Sequence, residues 1–153
     1  PADLSAIRNR AVNQAEEEGI AAQLTDSPYR PTKAMISYSK EDVAYKESLK
    51  KQLKVYTRNH QLEIWDDQSI DAGKEWEKEI IEHLETDDII ILLVSQDFIA
   101  TDYIWDVEIP KIMERHIKKE AIVIPIILRV CNWEKLNIGT IQALPTKGRP
   151  IKQ

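Results

Sequence analysis

The stretch DIIILLVS, residues 88–95, constrains the fold more than any other part of the chain. Between Asp88 and Ser95 it is wholly apolar and lacks the polar alternation of a strand with one wet face. Such a run suits a central strand covered on both faces. The sequence around it should then supply further strands, and helices to cover them.

It does so in alternation. KAMISY (33–38) reads as a strand, and EDVAYKESLKKQLKVYT (41–57) as a helix with Tyr45, Leu49, Leu53 and Tyr56 on one face. LEIW (62–65) is a second strand and DDQSIDAG (66–73) a loop. KEWEKEIIEHLE (74–85) is a helix whose inward side is Trp76, Ile80, Ile81 and Leu84. The central strand follows, then a helix over 103–118, with Asp102, Asp106 and Glu108 in its first turn. AIVIPIIL (121–128) is a fourth strand, which Pro125 places at an edge or a bulge. RPIK (149–152) is a short fifth. Helical crossovers of this length imply parallel strands with helices on both faces, an open α/β sheet. Ligand sites in such sheets lie beyond the carboxyl ends of the strands, here after Tyr38, Trp65, Ser95 and Leu128. Residues 1–30 read as an appendage, a thinly amphipathic helix over 2–18 and a proline-containing linker, ahead of a domain over 31–153.

The 153 residues fit one domain with a sizeable core, and the net charge of −5 argues against nucleic acid as the main partner. The lysines of 46–54 and 111–119 are interrupted by acids and read as solvated helix faces. Cys131 is the single cysteine, and the three histidines lack metal-binding spacing, so no metal site is expected. No apolar stretch is long enough to span a membrane and no signal peptide opens the sequence, so the expectation is a cytoplasmic protein without direct membrane contact.

The glycine-rich phosphate cradles and the G-x-S-x-G elbow are absent. A phosphoacceptor domain needs an acidic pair after the first strand, where this chain has Ser37-Tyr38-Ser39. Ser39 and Asp42 suit helix capping, and Asp66, Asp67 and Asp71 a solvated loop. Glu108 is harder to place. Ideal helical geometry sets it beside Ile104, Trp105, Lys111 and Ile112, at the edge of the apolar arc. Pro110 removes a backbone donor and kinks this helix, which can tilt Glu108 and Trp105 toward a cleft mouth. Two readings stay open: a boundary residue paired with Lys111 or Lys118, or a functional carboxylate. Trp105 is likewise either core or a ligand platform.

MISYSKED, IWDDQSIDAGKEWEKEI, LLVSQDFIATDYIWDVEIP and VIPIILRVCNWE together resemble a TIR (Toll/interleukin-1 receptor) domain, most closely the bacterial NAD-hydrolysing defence type. The likeness covers roughly residues 33–152 and lacks the family's usual last helix. It implies a flavodoxin-like open sheet of five parallel strands. It also implies an NAD⁺ nucleosidase that cleaves the nicotinamide–ribose bond, giving ADP-ribose or a cyclic isomer, in antiviral innate immunity. Other members are non-catalytic scaffolds that signal by homotypic assembly. The family glutamate maps onto Glu108, with Asp106 the alternative because Trp105 precedes Glu108 by only three residues. The resemblance gives Trp105 or Tyr103 the nicotinamide ring, Ser37, Tyr38 and Lys40 the adenosine and pyrophosphate side, and Asp66 and Asp71 a cleft-bordering loop. It implies NAD⁺ as substrate with no cofactor, activation by TIR–TIR self-association, and a sensor or activator outside this chain.

Overall fold

The structure is a computed structural model and describes residues 30–145 and 148–151. The helix expected over 2–18 and most of its linker lie outside the described residues. Four strands, β1 (Thr32–Ser37), β2 (Leu62–Trp65), β3 (Ile89–Val94) and β4 (Ile122–Ile127), form a parallel sheet in the order β2-β1-β3-β4. Five helical segments serve here: α1 (Val43–Gln52), α2 (Lys54–Arg58), α3 (Trp76–Thr86), α4 (Gln96–Ala100) and α5 (Ile109–Ile117). The predicted 41–57 helix is thus present but broken at Leu53, and α4 is a separate short helix that the sequence reading did not distinguish. Among the described residues no helix is long and apolar enough to cross a membrane.

The run after Asp88 is central, as its composition requires. Ile90, Leu92 and Val94 face one way and pack with Ile80 and Leu84 of α3, Phe98 of α4 and Ile109 and Ile112 of α5. Ile91 and Leu93 face the other way, with Ile36 and Leu128, against Tyr45 and Leu49 of α1. The period-two alternation of strand side chains therefore feeds two apolar layers from one uninterrupted apolar sequence.

The fifth strand expected at RPIK does not form over its described residues, 149–151. Among the described residues, β4 has beside it an isolated parallel bridge between Ile126 and Leu144, and the Ile151 N–H donates to the Ile127 carbonyl at 2.9 Å. Pro145 and Pro150 have no N–H to extend a ladder there. Pro125 itself is accommodated inside β4, opposite Leu92. Its carbonyl accepts from Leu144 N–H at 2.8 Å, on the side away from β3. A residue's N–H and C=O point to the same side of a strand, so the missing donor falls on the outer edge of β4.

The reading of 46–54 as a solvated face needs correction at Lys46, which has no exposure. Its ammonium lies 2.6 Å from Glu47, 3.3 Å from Asp66 and 2.6 Å from the Gln68 side-chain oxygen. A buried lysine is tolerable only with this degree of pairing.

Candidate functional site

In the order β2-β1-β3, the chain leaves β1 to one side and returns on the other, which opens a crevice at the strands' carboxyl ends. A cavity of about 550 Å³ lies there. Ser37 to Glu41 form one wall, Trp65 and Asp67 another, and Trp76 and Ile80 of α3 a third. Asp97, Ala100, Thr101, Tyr103, Ile104 and Glu108 close the far side.

Glu108 reaches this cavity because the helix is not α-helical where it stands. Ile104–Glu108 is a π-helical turn, and the Ile109 N–H bonds back to the Ile104 carbonyl. Pro110, one residue further on, has no N–H to restore the tighter pattern. The wider turn places Ile104, Glu108 and Ile109 all on the buried side. The expected kink is thus realised as a bulge that turns Glu108 inward. Neither lysine expected as its partner takes that role: Lys111 lies 3.6 Å from Glu85, and Lys118 lies 2.8 Å from Glu114.

Glu108 is 6 % exposed, and the Ser37 hydroxyl donates to its Oε1 at 3.2 Å. Burial pushes its carboxyl up to about 7; the Ser37 hydrogen bond opposes this and the charge of Asp67 adds to it. Near neutral pH both its protonated and its ionised forms are therefore accessible. Tyr38 donates to Asp67 Oδ1 at 2.7 Å, and burial first, then Asp67, push the Tyr38 phenol up. Tyr103 lies against Trp76 with ring centroids 4.6 Å apart, and its hydroxyl is buried without a hydrogen-bond partner among the described residues.

Of the residues singled out from the sequence, Ser37, Tyr38, Lys40, Tyr103 and Glu108 line one cavity. Trp105 does not line it. The bulge sets Trp105 to the side, half-buried against the core. Asp106 is exposed. Asp66 is fully buried and structural: it accepts from Lys50 Nζ at 3.0 Å and the Gln68 N–H at 2.9 Å. Burial alone would raise its carboxyl, but Lys50, Gln68 and Lys46 outweigh this and hold it below the usual range. Asp71 is exposed, 3.8 Å from Lys74, and outside the cavity lining.

Asp67 and Trp76, which sequence reasoning did not single out as site residues, line the cavity, and Asp66 and Trp105 do not. A signal for the first exists. Asp66 is in extended backbone (φ −143°, ψ 170°), so neighbouring side chains there point to opposite sides, and one of two adjacent aspartates must face away from the core. Trp76 was read as inward-facing, yet it is 47 % exposed because it starts α3 and overhangs the cleft.

A family model described as TIR domain matches residues 35–150. The chain belongs to the TIR domain family. It is also 49 % identical over 117 residues to "Uncharacterized protein y4lF" of Sinorhizobium fredii (strain NBRC 101917 / NGR234). That match covers 76 % of this chain and 36 % of the relative, so the chain spans about a third of that protein's length. In this TIR domain the matched span contains every residue placed in the cleft above.

Proposed function

We propose that this TIR domain is an NAD⁺ nucleosidase, with Glu108 as its catalytic carboxylate, and that self-association activates it. One observation carries the reading: a buried carboxylate, without a cation partner among the described residues and poised near neutrality, faces a cavity large enough for a nucleotide.

The chemistry suits one carboxylate. The bond between ribose C1′ and the pyridinium nitrogen breaks, its electron pair passes to that nitrogen, and nicotinamide leaves neutral. No acid is needed for the leaving group, unlike glycosidases that expel an alcohol. Positive charge develops on C1′ and the ring oxygen, and an ionised Glu108 stabilises it where water is scarce. The substrate's own pyridinium charge favours that ionised form. Water then adds to C1′ and loses a proton to Glu108 or solvent, giving ADP-ribose. Attack by a nucleophile of the same molecule gives a cyclic isomer instead. Trp76 and Tyr103 cover the nicotinamide ring in this reading, and Lys40 stands beside phosphate.

The test is product chromatography after incubation with NAD⁺ at high protein concentration, with and without a clustering surface, beside Glu108→Ala and Glu108→Gln. Nicotinamide release that both substitutions abolish is expected. Folded protein that releases none under any clustering condition would instead be a scaffold. Release that survives both substitutions would remove Glu108 from the role.

A further inference from the structure

A second cavity, of about 510 Å³, lies at the β2 edge of the sheet. Lys33 of β1, Lys50 of α1 and Lys54 of α2 line it together with Trp65, His83 and Asp87. Lysines from three elements thus border one cavity. Of these, Lys50 has an acid partner within 4 Å among the described residues, and Lys33 and Lys54 have none. Acids share the cavity: Asp87 is 1 % exposed and held by His83 Nδ1 at 2.9 Å, and burial raises its carboxyl while His83 and the charge of Lys33 oppose this. Glu63 stands exposed at the rim. The His83 ring stacks on Trp65, centroids 4.0 Å apart and planes within 12°, so an aromatic wall adjoins the cationic one.

This cavity shares a wall residue with the first. Trp65 lines both. Lys50 also reaches out of the second cavity to Asp66 Oδ2 at 3.0 Å. The same Asp66 accepts from the Gln68 N–H and so fixes the turn Asp67–Ser69 that presents Asp67 to the cleft.

We propose that the second cavity binds a small phosphate ester through Lys33, Lys50 and Lys54, and that this ligand loosens the Asp67 wall of the first cleft by competing with Asp66 for Lys50. Lysine is suited to phosphate as a point charge, and the volume admits a nucleoside monophosphate. The proposal does not rest on what the first cleft hydrolyses.

Adenosine 5′-monophosphate and inorganic phosphate are titrated into the ¹⁵N-labelled chain at constant ionic strength, with adenosine as the uncharged control. The Thr57 amide, at the second cavity and not the first, reports occupancy, and the Gln68 amide reports the Asp66 cap. Saturable movement of both is expected with the two phosphates and not with adenosine. Lys33→Ala/Lys54→Ala, which leaves Lys50 and Asp66 intact, should weaken binding at least tenfold, and Lys40→Ala, in the first cleft, should leave it unchanged. Binding that is as tight in the lysine variant, or as tight for adenosine, overturns the site. Binding lost in Lys40→Ala assigns the phosphate to the first cleft and overturns it too. Movement of Thr57 with a stationary Gln68 overturns the coupling.

Discussion

Replacing Glu108 by glutamine should make the protein's stability less dependent on pH, in a direction and amount set by the cleft. In the unfolded chain the carboxyl titrates at its ordinary 4.5, and in the folded chain at about 7. Between those values the folded chain keeps a proton that the unfolded chain has released. Below the lower value both forms are protonated and burial carries no charge penalty. Above the upper value the folded chain holds an ionised carboxylate that is 6 % exposed. Stability is therefore fully present on the acid side and is lost as pH rises through this window. The difference of about 2.5 (7 − 4.5) corresponds to about 3 kcal/mol. Glutamine has nearly the same shape, can accept from Ser37, and does not titrate. Urea denaturation of both proteins between about pH 4 and about pH 8 gives the difference in unfolding free energy, in which other titrations cancel. Relative to the variant, the parent should lose about 3 kcal/mol across the range. A difference that stays flat within about 0.5 kcal/mol, or rises with pH, would show that Glu108 is not buried as described.

Removing the Ser37 hydroxyl (Ser37→Ala) deletes a hydrogen bond that favours the ionised carboxylate, and should move the Glu108 titration up by about one unit, read by ¹³C NMR of its carboxyl carbon. Lys46→Met leaves Asp66 with Lys50 as its remaining lysine partner and should cost about 3 kcal/mol in chemical denaturation; a neutral result would mean that Lys46 is solvated after all. Tyr103→Phe removes a buried hydroxyl that has no hydrogen-bond partner among the described residues, so thermal and urea unfolding should show no loss beyond about 0.5 kcal/mol. A larger loss would reveal a partner for that hydroxyl.

The sheet was readable because its evidence is compositional: the uninterrupted apolar run of β3 admits few arrangements, and Pro125 announces an outer edge. Side-chain direction was readable only where backbone period is regular. Ideal 3.6-residue geometry put Glu108 at the margin of its helix, and the one-residue bulge moved it inside. The same bulge displaced Trp105 from the cleft. Asp66 and Asp67 look equivalent in sequence, and the extended backbone between β2 and its following turn decides which one is buried. Lys46 looked solvated because its partners, Asp66 and Gln68, arrive from a distant loop. The fifth strand failed for a local reason, two prolines that cannot donate.

The π-turn before Pro110 acts as a phase shifter between two amphipathic stripes. Downstream, α5 must present Ile109 and Ile112 to the sheet; upstream, Ile104 must serve the cleft. A continuous α-helix would lock these two demands to one angular schedule. The extra residue in the turn slips the schedule by about 100°, the advance of one helical position. Side-chain chemistry at the cleft can therefore change without re-registering the helix on the sheet. Shortening the segment by one residue would do the reverse: the core stripe could stay in place while the carboxylate swung away from the cavity.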